Sequence, residues 1–332
     1  MATKRWIGNA ANVAQVDKVT FAGVFADTNT ITTTINGKAH VVTVGSAVTD
    51  ATTAAAAYKK AINGTAPSAN EFTVNFDAAA HGEFAEITAS LDPDDSLIVW
   101  LTGDTAGKPF TVTSVVNTAA GTTVLASLIT ATGENYLTDV DNWDGGAIPV
   151  DDDDIIFDRG STSMLYGLSQ SAVTLTSLTI RSEYTGKIGL ARVNADDSAL
   201  PYNEYRTRAW TTGAAADAND IVVKIGEGDG VHSGRIVLNF NDSDYTATVY
   251  GTGTRTESSV PVVQFIGSAT TPEITVVSGD VGLGMEGATT VLTKLHLLSS
   301  AAQATLGANV TWTSGGELLN QGGTLIGTVT IP

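Results

Sequence analysis

Val276-Val277-Ser278-Gly279-Asp280, Leu306-Gly307-Ala308-Asn309-Val310 and Leu318-Leu319-Asn320-Gln321-Gly322-Gly323 share one rhythm: a short apolar run, then a Gly, Asn or Asp corner. They lie in residues 261–332, where the only basic residue is Lys294 and the acids are Glu273, Asp280, Glu286 and Glu317. In a solenoid each rung stacks on the next, so inward apolar ladders and tight polar corners suffice. Upstream, further β runs occur at 173–180, 221–225, 235–240, 246–250 and 260–266, followed by 273–277, 289–298, 304–312 and 324–331. Gly, Asn, Asp and Ser turns separate them about every 8 to 12 residues. That spacing also fits a β-sandwich. There is no exact repeat, so rhythm and low charge are what favour a parallel β-solenoid over the sandwich.

Before these runs stands Asn142-Trp143-Asp144-Gly145-Gly146-Ala147-Ile148-Pro149, then Asp151 to Asp154 and Ile155-Ile156-Phe157-Asp158. Trp143 is suited to cover the open end of a solenoid. Gly145-Gly146 and Pro149 are suited to turn the chain into the first rung. Residues 133–332 therefore read as one β-rich domain. Within it, 191–220 reads as an excursion that includes Pro201-Tyr202-Asn203-Glu204-Tyr205-Arg206-Thr207-Arg208-Ala209-Trp210.

Residues 26–132 read as a small α/β module. Ile31-Thr32-Thr33-Thr34-Ile35 is β-branched throughout and favours a strand. Asn36-Gly37 suits the positive φ angles of a type I′ hairpin turn, which makes Thr30 to Val44 a hairpin. Thr49 or Asp50 caps a short helix over 50–62, rich in Ala and closed by Lys59, Lys60 and Asn63-Gly64. Phe72, Val74 and Phe76 read as one buried strand face, and Ser96 to Leu101 as an apolar strand. Residues 1–25 read as an N-terminal arm.

Two resemblances follow. Thr32 to Lys38, Val42 to Gly45, Ala61 to Asn63 and Thr105 to Thr113 carry an order similar to a small module recurrent in virion proteins of tailed bacteriophages. Asn142, Trp143, Gly145, Gly146, Pro149, Asp153, Asp154 and Phe157 carry an order that resembles the opening segment of passenger-type β-solenoids and phage surface proteins. The fold expected is thus mainly β: hairpin, one short helix and strands, then a parallel β-solenoid or β-sandwich-like domain.

Composition limits the function classes. With 17 basic and 35 acidic residues the formal charge is −18, which argues against nucleic-acid binding and against adhesion to anionic membranes. The absence of cysteine excludes disulfides and thiolate chemistry. No secretory apolar run opens the chain and no stretch suits a membrane helix, so synthesis in a host cytoplasm and residence in the virion are expected.

Sites of chemistry are sparse. Gly103 to Pro109 has three residues between its glycines and Pro109 where a phosphate loop needs Ser or Thr, so it reads as a turn into a strand. Gly226-Glu227-Gly228-Asp229-Gly230 reads as a corner. His40, His81, His232 and His296 share no metal-ligand spacing. The acidic clusters Asp92/Asp94/Asp95 and Asp242/Asp244 read as solvated turns. The best candidates for a structural calcium ion, the one cofactor considered, are Asp139, Asp141, Asp144, Asp151 and Asp153.

The reading is of a non-enzymatic virion structural protein, a capsid decoration or cementing protein whose partners are the major capsid protein or other virion proteins. Self-association is expected, with a trimer favoured. The interface candidates are Trp6 and Phe21 in the arm, and Tyr202, Tyr205, Arg206, Arg208 and Trp210 in the excursion. A tail fibre or surface adhesin binding a receptor or glycan is the first alternative, and a polysaccharide-degrading solenoid enzyme the second.

Overall fold

Two units interleave along the chain: Met1–Ala10, Glu134–Leu190 and Arg206–Pro332 build one, and Ala11–Gly133 with Ala191–Tyr205 build the other. The computed structural model describes residues 2–116, 120–194, 200–213, 220–228, 234–253 and 260–330.

The second unit is the α/β module. After β1 (Thr3–Arg5), which belongs to the other unit, come β2 (Val16–Gly23), β3 (Thr30–Ile35), β4 (Lys38–Val44), α1 (Ala51–Ile62), β5 (Phe72–Val74), β6 (Ile87–Leu91), β7 (Ile98–Gly103), β8 (Val112–Val116) and β9 (Gly121–Ile129). They form two antiparallel four-stranded sheets, ordered β6-β7-β2-β9 and β5-β4-β3-β8. The β3–β4 hairpin turns at Asn36 (φ 51°) and Gly37 (φ 82°), both positive as a type I′ turn requires. Asp50 caps α1 reciprocally with Thr53: the Thr53 N–H donates to Asp50 Oδ1 (2.8 Å), and the Asp50 N–H donates to Thr53 Oγ1 (3.2 Å). The alanine face of α1, with Tyr58 and Ile62, packs into a core that includes Phe21, Ile31, Ile35, Val99 and Leu101. The expected strand face at 72–76 is shorter than its sequence pattern. Phe72 is buried, Val74 is exposed, and the strand ends there because Asn75 turns its side chain onto β4.

The first unit is a parallel β-solenoid of about seven turns. Its strands are β10 (Asp154–Phe157), β11 (Ser177–Arg181), β14 (Trp210–Thr211), β15 (Ile221–Glu227), β16 (Ile236–Asn239), β17 (Tyr245–Val249), β18 (Val263–Ile266), β19 (Glu273–Val276), β20 (Gly279–Met285), β21 (Thr290–Leu297), β22 (Ala302–Leu306), β23 (Val310–Asn320) and β24 (Thr324–Ile326). The remaining pair, β12 (Val193–Asn194) and β13 (Tyr202–Asn203), is an antiparallel ribbon of the module unit. One solenoid sheet runs β1-β10-β11-β15-β17-β19-β21-β23 and the other β14-β16-β18-β20-β22-β24, all parallel, and from β15 onward the chain alternates between them.

Register explains the solenoid core. Ile155, Leu178, Val223, Ala247, Ile274 and Leu295 stand in one paired line, and Phe157, Ile180, Ile225, Val249, Val276 and Leu297 in the next. Every one of these side chains is buried. Because side chains alternate across a strand, a one-residue slip would turn both ladders to solvent. The facing sheet supplies Ile236, Val263, Val281 and Ala304 beside Leu238, Phe265, Leu283 and Leu306. One expected corner is a strand: Gly279 opens β20 at φ 102°, and the residues after it pair with β22.

The expected arm at 1–25 is not a separate segment. Thr3–Arg5 pairs in register with Asp154–Ile156, so it is the outermost strand of the solenoid sheet. Val16–Gly23 lies between β7 and β9, inside a module sheet. Backbone hydrogen bonds hold both stretches within a sheet.

Candidate functional site

The end of the solenoid is built from the residues around Trp143. Trp143 is buried, and its indole N–H donates to the Leu137 carbonyl (2.7 Å). Trp6 meets it edge-on at 5.2 Å between ring centroids, and Phe157 lies 6.0 Å from Trp6. The Trp6 indole donates to the Thr162 carbonyl (3.0 Å). Asn142 ties the surrounding loops together: its Nδ2 donates to the Tyr136 carbonyl, its Oδ1 accepts from the Ala10 N–H, and its carbonyl accepts from the Ile7 N–H (2.8 Å each). Gly145 (φ 87°) and Gly146 (φ 66°) need their glycines for backbone angle alone, since no atom would crowd a Cβ at either. Trp143 thus covers the solenoid end as the sequence suggests, and Trp6 completes the cover.

The acidic residues near this end hold turns. Asp153 accepts the Ala2 N–H (2.9 Å) on one carboxylate oxygen and the Val150 N–H (3.1 Å) on the other. Asp151 accepts the Thr174 N–H (2.8 Å), and Asp139 accepts the Asp141 N–H (3.2 Å). Asp144 contributes a backbone N–H to the Arg5 carbonyl (2.9 Å). The other clusters behave alike: Asp92 accepts from the Asp94 N–H, Asp95 from the Leu97 N–H, and Asp244 from the Thr271 N–H. Among the described residues, no three acids or imidazoles converge as metal ligands.

The interface candidates fall in two units. Trp6, Arg206, Arg208 and Trp210 belong to the solenoid; Phe21, Tyr202 and Tyr205 belong to the module. Four of them are not presented at the surface. Trp6 is 4% exposed, Phe21 1%, Tyr202 6% and Trp210 1%. Trp210 sits on β14 inside the solenoid core, 6.1 Å from the Phe157 ring, which is why an aromatic in an apparent excursion is buried. Phe21 packs on Phe25 and Tyr58. Arg206 lies over the Tyr166 ring at 5.6 Å, and Arg208 is ion-paired with Glu286. The excursion expected over 191–220 is therefore narrower. Only 191–205 leaves the solenoid unit; Trp210–Thr211 is already a rung, and 214–219 lie outside the described residues.

A buried polar cluster in the module has no counterpart in the sequence expectations. The Glu86 carboxylate receives the Lys108 ammonium (2.7 Å), the Tyr202 hydroxyl, and Nδ2 of Asn36 (3.0 Å). Asn194 Nδ2 donates to Glu204 (3.3 Å) and reaches Glu86 (3.5 Å). Tyr205 stacks on Tyr202 at 6.3 Å and donates to the Pro109 carbonyl (3.1 Å). Gly82 lies under this ribbon, where a Cβ would collide with the Leu200 carbonyl and the Tyr202 ring. The lysine of the loop that superficially resembles a phosphate-binding loop is thus held by a buried carboxylate, and Gly107 (φ 80°) only turns the chain there.

His40 and His81 both pack on the Phe76 ring, at 4.8 and 4.5 Å between ring centroids. His40 is fully buried, its Nε2–H donates to the Phe76 carbonyl (3.0 Å), and burial holds its pKa below the ordinary value. His296 meets Glu317 at 2.8 Å on the outer face of the solenoid. On the same face the Glu273 carboxylate, 2.7 Å from Lys294, raises the pKa of that lysine. His232, Asp229 and Gly230 lie outside the described residues. A scan against protein-family models and a search of curated proteins found no match to this chain.

Proposed function

We propose that the protein is a non-enzymatic structural protein of a tailed-phage virion, a capsid decoration or cementing protein that docks on the head lattice and self-associates. The observation that carries this reading is where the chemistry-bearing side chains are spent. Carboxylates of the acidic clusters accept backbone N–H groups at turns, and the loop lysine is consumed by Glu86. Tryptophans and tyrosines stack inside the two cores. Such an investment suits a rigid brick whose work is done by its outer surfaces. The sequence order at Thr32 to Lys38 and Thr105 to Thr113 supplies the virion context, and the charge of −18 suits solubility at high local concentration. The major capsid protein or other virion proteins would be the partners.

The test is the protein composition of purified particles. The proposal expects the chain at a fixed copy number per particle, retained through density-gradient purification. Its absence from particles together with recovery in the cell envelope would overturn the proposal.

A further inference from the structure

Four strands lie at the edges of the module sheets: β6 and β9 in one, β5 and β8 in the other. An unpaired strand edge invites another strand, and folded proteins shut such edges by explicit devices. On β6, the Asn63 side chain acts as a surrogate strand, since its Nδ2 donates to the Ala89 carbonyl and its Oδ1 accepts the Ala89 N–H (2.8 Å each). On the other sheet β5 spans only Phe72–Val74, and beyond it Asn75 Oδ1 accepts the Val41 N–H (2.9 Å). The β8 edge meets β9 through Ser114 and Thr123, whose hydroxyls lie 3.5 Å apart.

Among the described residues, β9 has no such device from Val124 to Ser127; beyond Ser127 its register with β2 shifts by one residue at Leu128. It pairs, among the described residues, with β2 on one side and with no strand on the other. Its sequence, Gly121-Thr122-Thr123-Val124-Leu125-Ala126-Ser127-Leu128-Ile129, holds no charge and no proline in a chain of net charge −18. Val124 is 61% exposed, Leu128 49% and Ile129 46%.

We infer that β9 is a self-association edge, on which the β9 strand of a second copy pairs antiparallel about a two-fold axis. Like-charged copies repel wherever their acids face one another, so a neutral strand is where they can meet. An uncharged strand also has no charge complement to select a basic or acidic partner, whereas in an antiparallel two-fold pair it is its own complement. An axis through Ala126 sets Val124 opposite Leu128 of the second copy, and Leu128 opposite Val124, which covers the two most exposed apolar side chains of the strand. The pair joins two four-stranded sheets into one of eight strands. A two-fold closes at two copies, so this differs from the trimer expected from sequence. The inference gives the proposed self-association a surface. It can fail while the particle-composition test succeeds, and the reverse.

The test is sedimentation equilibrium of the full chain at about 100 μM, an accessible concentration for weak pairs. The wild type is expected at twice the monomer mass. Val124→Lys, at an exposed position that leaves the melting temperature unchanged, is expected to raise the dissociation constant at least about tenfold, since it places a lysine on the pairing edge. Ala126→Cys supplies the only thiol of the chain. Opposed residues of antiparallel strands have Cα atoms about 4.5–5.5 Å apart, within disulfide reach, so mild oxidation is expected to link two copies. A wild type of monomer mass overturns the inference. So does an oligomer that Val124→Lys leaves intact and Ala126→Cys does not cross-link.

Discussion

At the scale of single residues, the strongest commitments of this chain are buried polar groups with named partners. The Glu86–Lys108 pair is buried, and the Glu86 carboxylate also accepts from Asn36 and Tyr202. Removing one partner of such a pair leaves an uncompensated charge and costs about 3–5 kcal/mol, whereas an apolar replacement of the pair is much less costly. Lys108→Met is therefore expected to destabilise the module by that amount in urea unfolding, and Glu86→Gln combined with it to restore part of the loss. His40 gives a pH signature. Burial lowers its folded pKa below 6.5, while Asp77 opposes the shift and His81 adds to it. The unfolded chain takes up a proton near 6.5 that the folded chain resists. Stability contributed by neutral His40 is then complete above about pH 6.5 and is lost as pH falls below that toward the folded value. His40→Gln is expected to flatten this limb of the stability–pH curve; an unchanged slope would assign it to other groups. None of this was legible beforehand. Glu86, Lys108 and Tyr202 are far apart in sequence, and a carboxylate before a strand carries no local mark of burial.

At the scale of elements, local chemistry was legible where it is local. The Asn36-Gly37 turn, the Asp50 cap and the run of alanines in α1 follow from backbone angle and propensity, and the structure has all three. The rung rhythm was legible too, because inward ladders need apolar residues at alternate positions. Two elements were not. Thr3–Arg5 has only three residues, two of them basic, and its partner begins at Asp154. Gly279 to Met285 contains three glycines, and Gly279 reads as a corner until stacking on β22 makes the run a strand. Four of the interface candidates are buried for one common reason. An aromatic in a polar-looking stretch is as well used inside a core as on a surface, and Trp6 and Trp210 are used inside. Trp6→Ala is expected to cost the solenoid about 3–5 kcal/mol, the usual range for a buried large aromatic, measured as a shift of its unfolding transition. An effect within about 0.5 kcal/mol, as for an exposed position, would mean that Trp6 does not cover the end.

At the scale of the whole molecule, the organisation is one of interrupted units. The solenoid begins at residues 3–5, the chain then builds the module, and it returns to the solenoid at Glu134; a second departure contributes 191–205 to the module. A reading that moves from one end to the other makes three consecutive domains of this, because sequence neighbours are its only guide. The pairing of β1 with β10 is what makes the module an insertion within the solenoid. The most direct test is amide hydrogen exchange across Thr3–Ile7 in the intact protein, compared with β10. The Trp6 N–H donates to the Ile156 carbonyl and the Ile7 N–H to the Asn142 carbonyl, so protection of these amides comparable to that of Ile155–Phe157 is predicted. Exchange of this segment at the rate of an unstructured peptide, with β10 still protected, would contradict the account and restore the N-terminal arm.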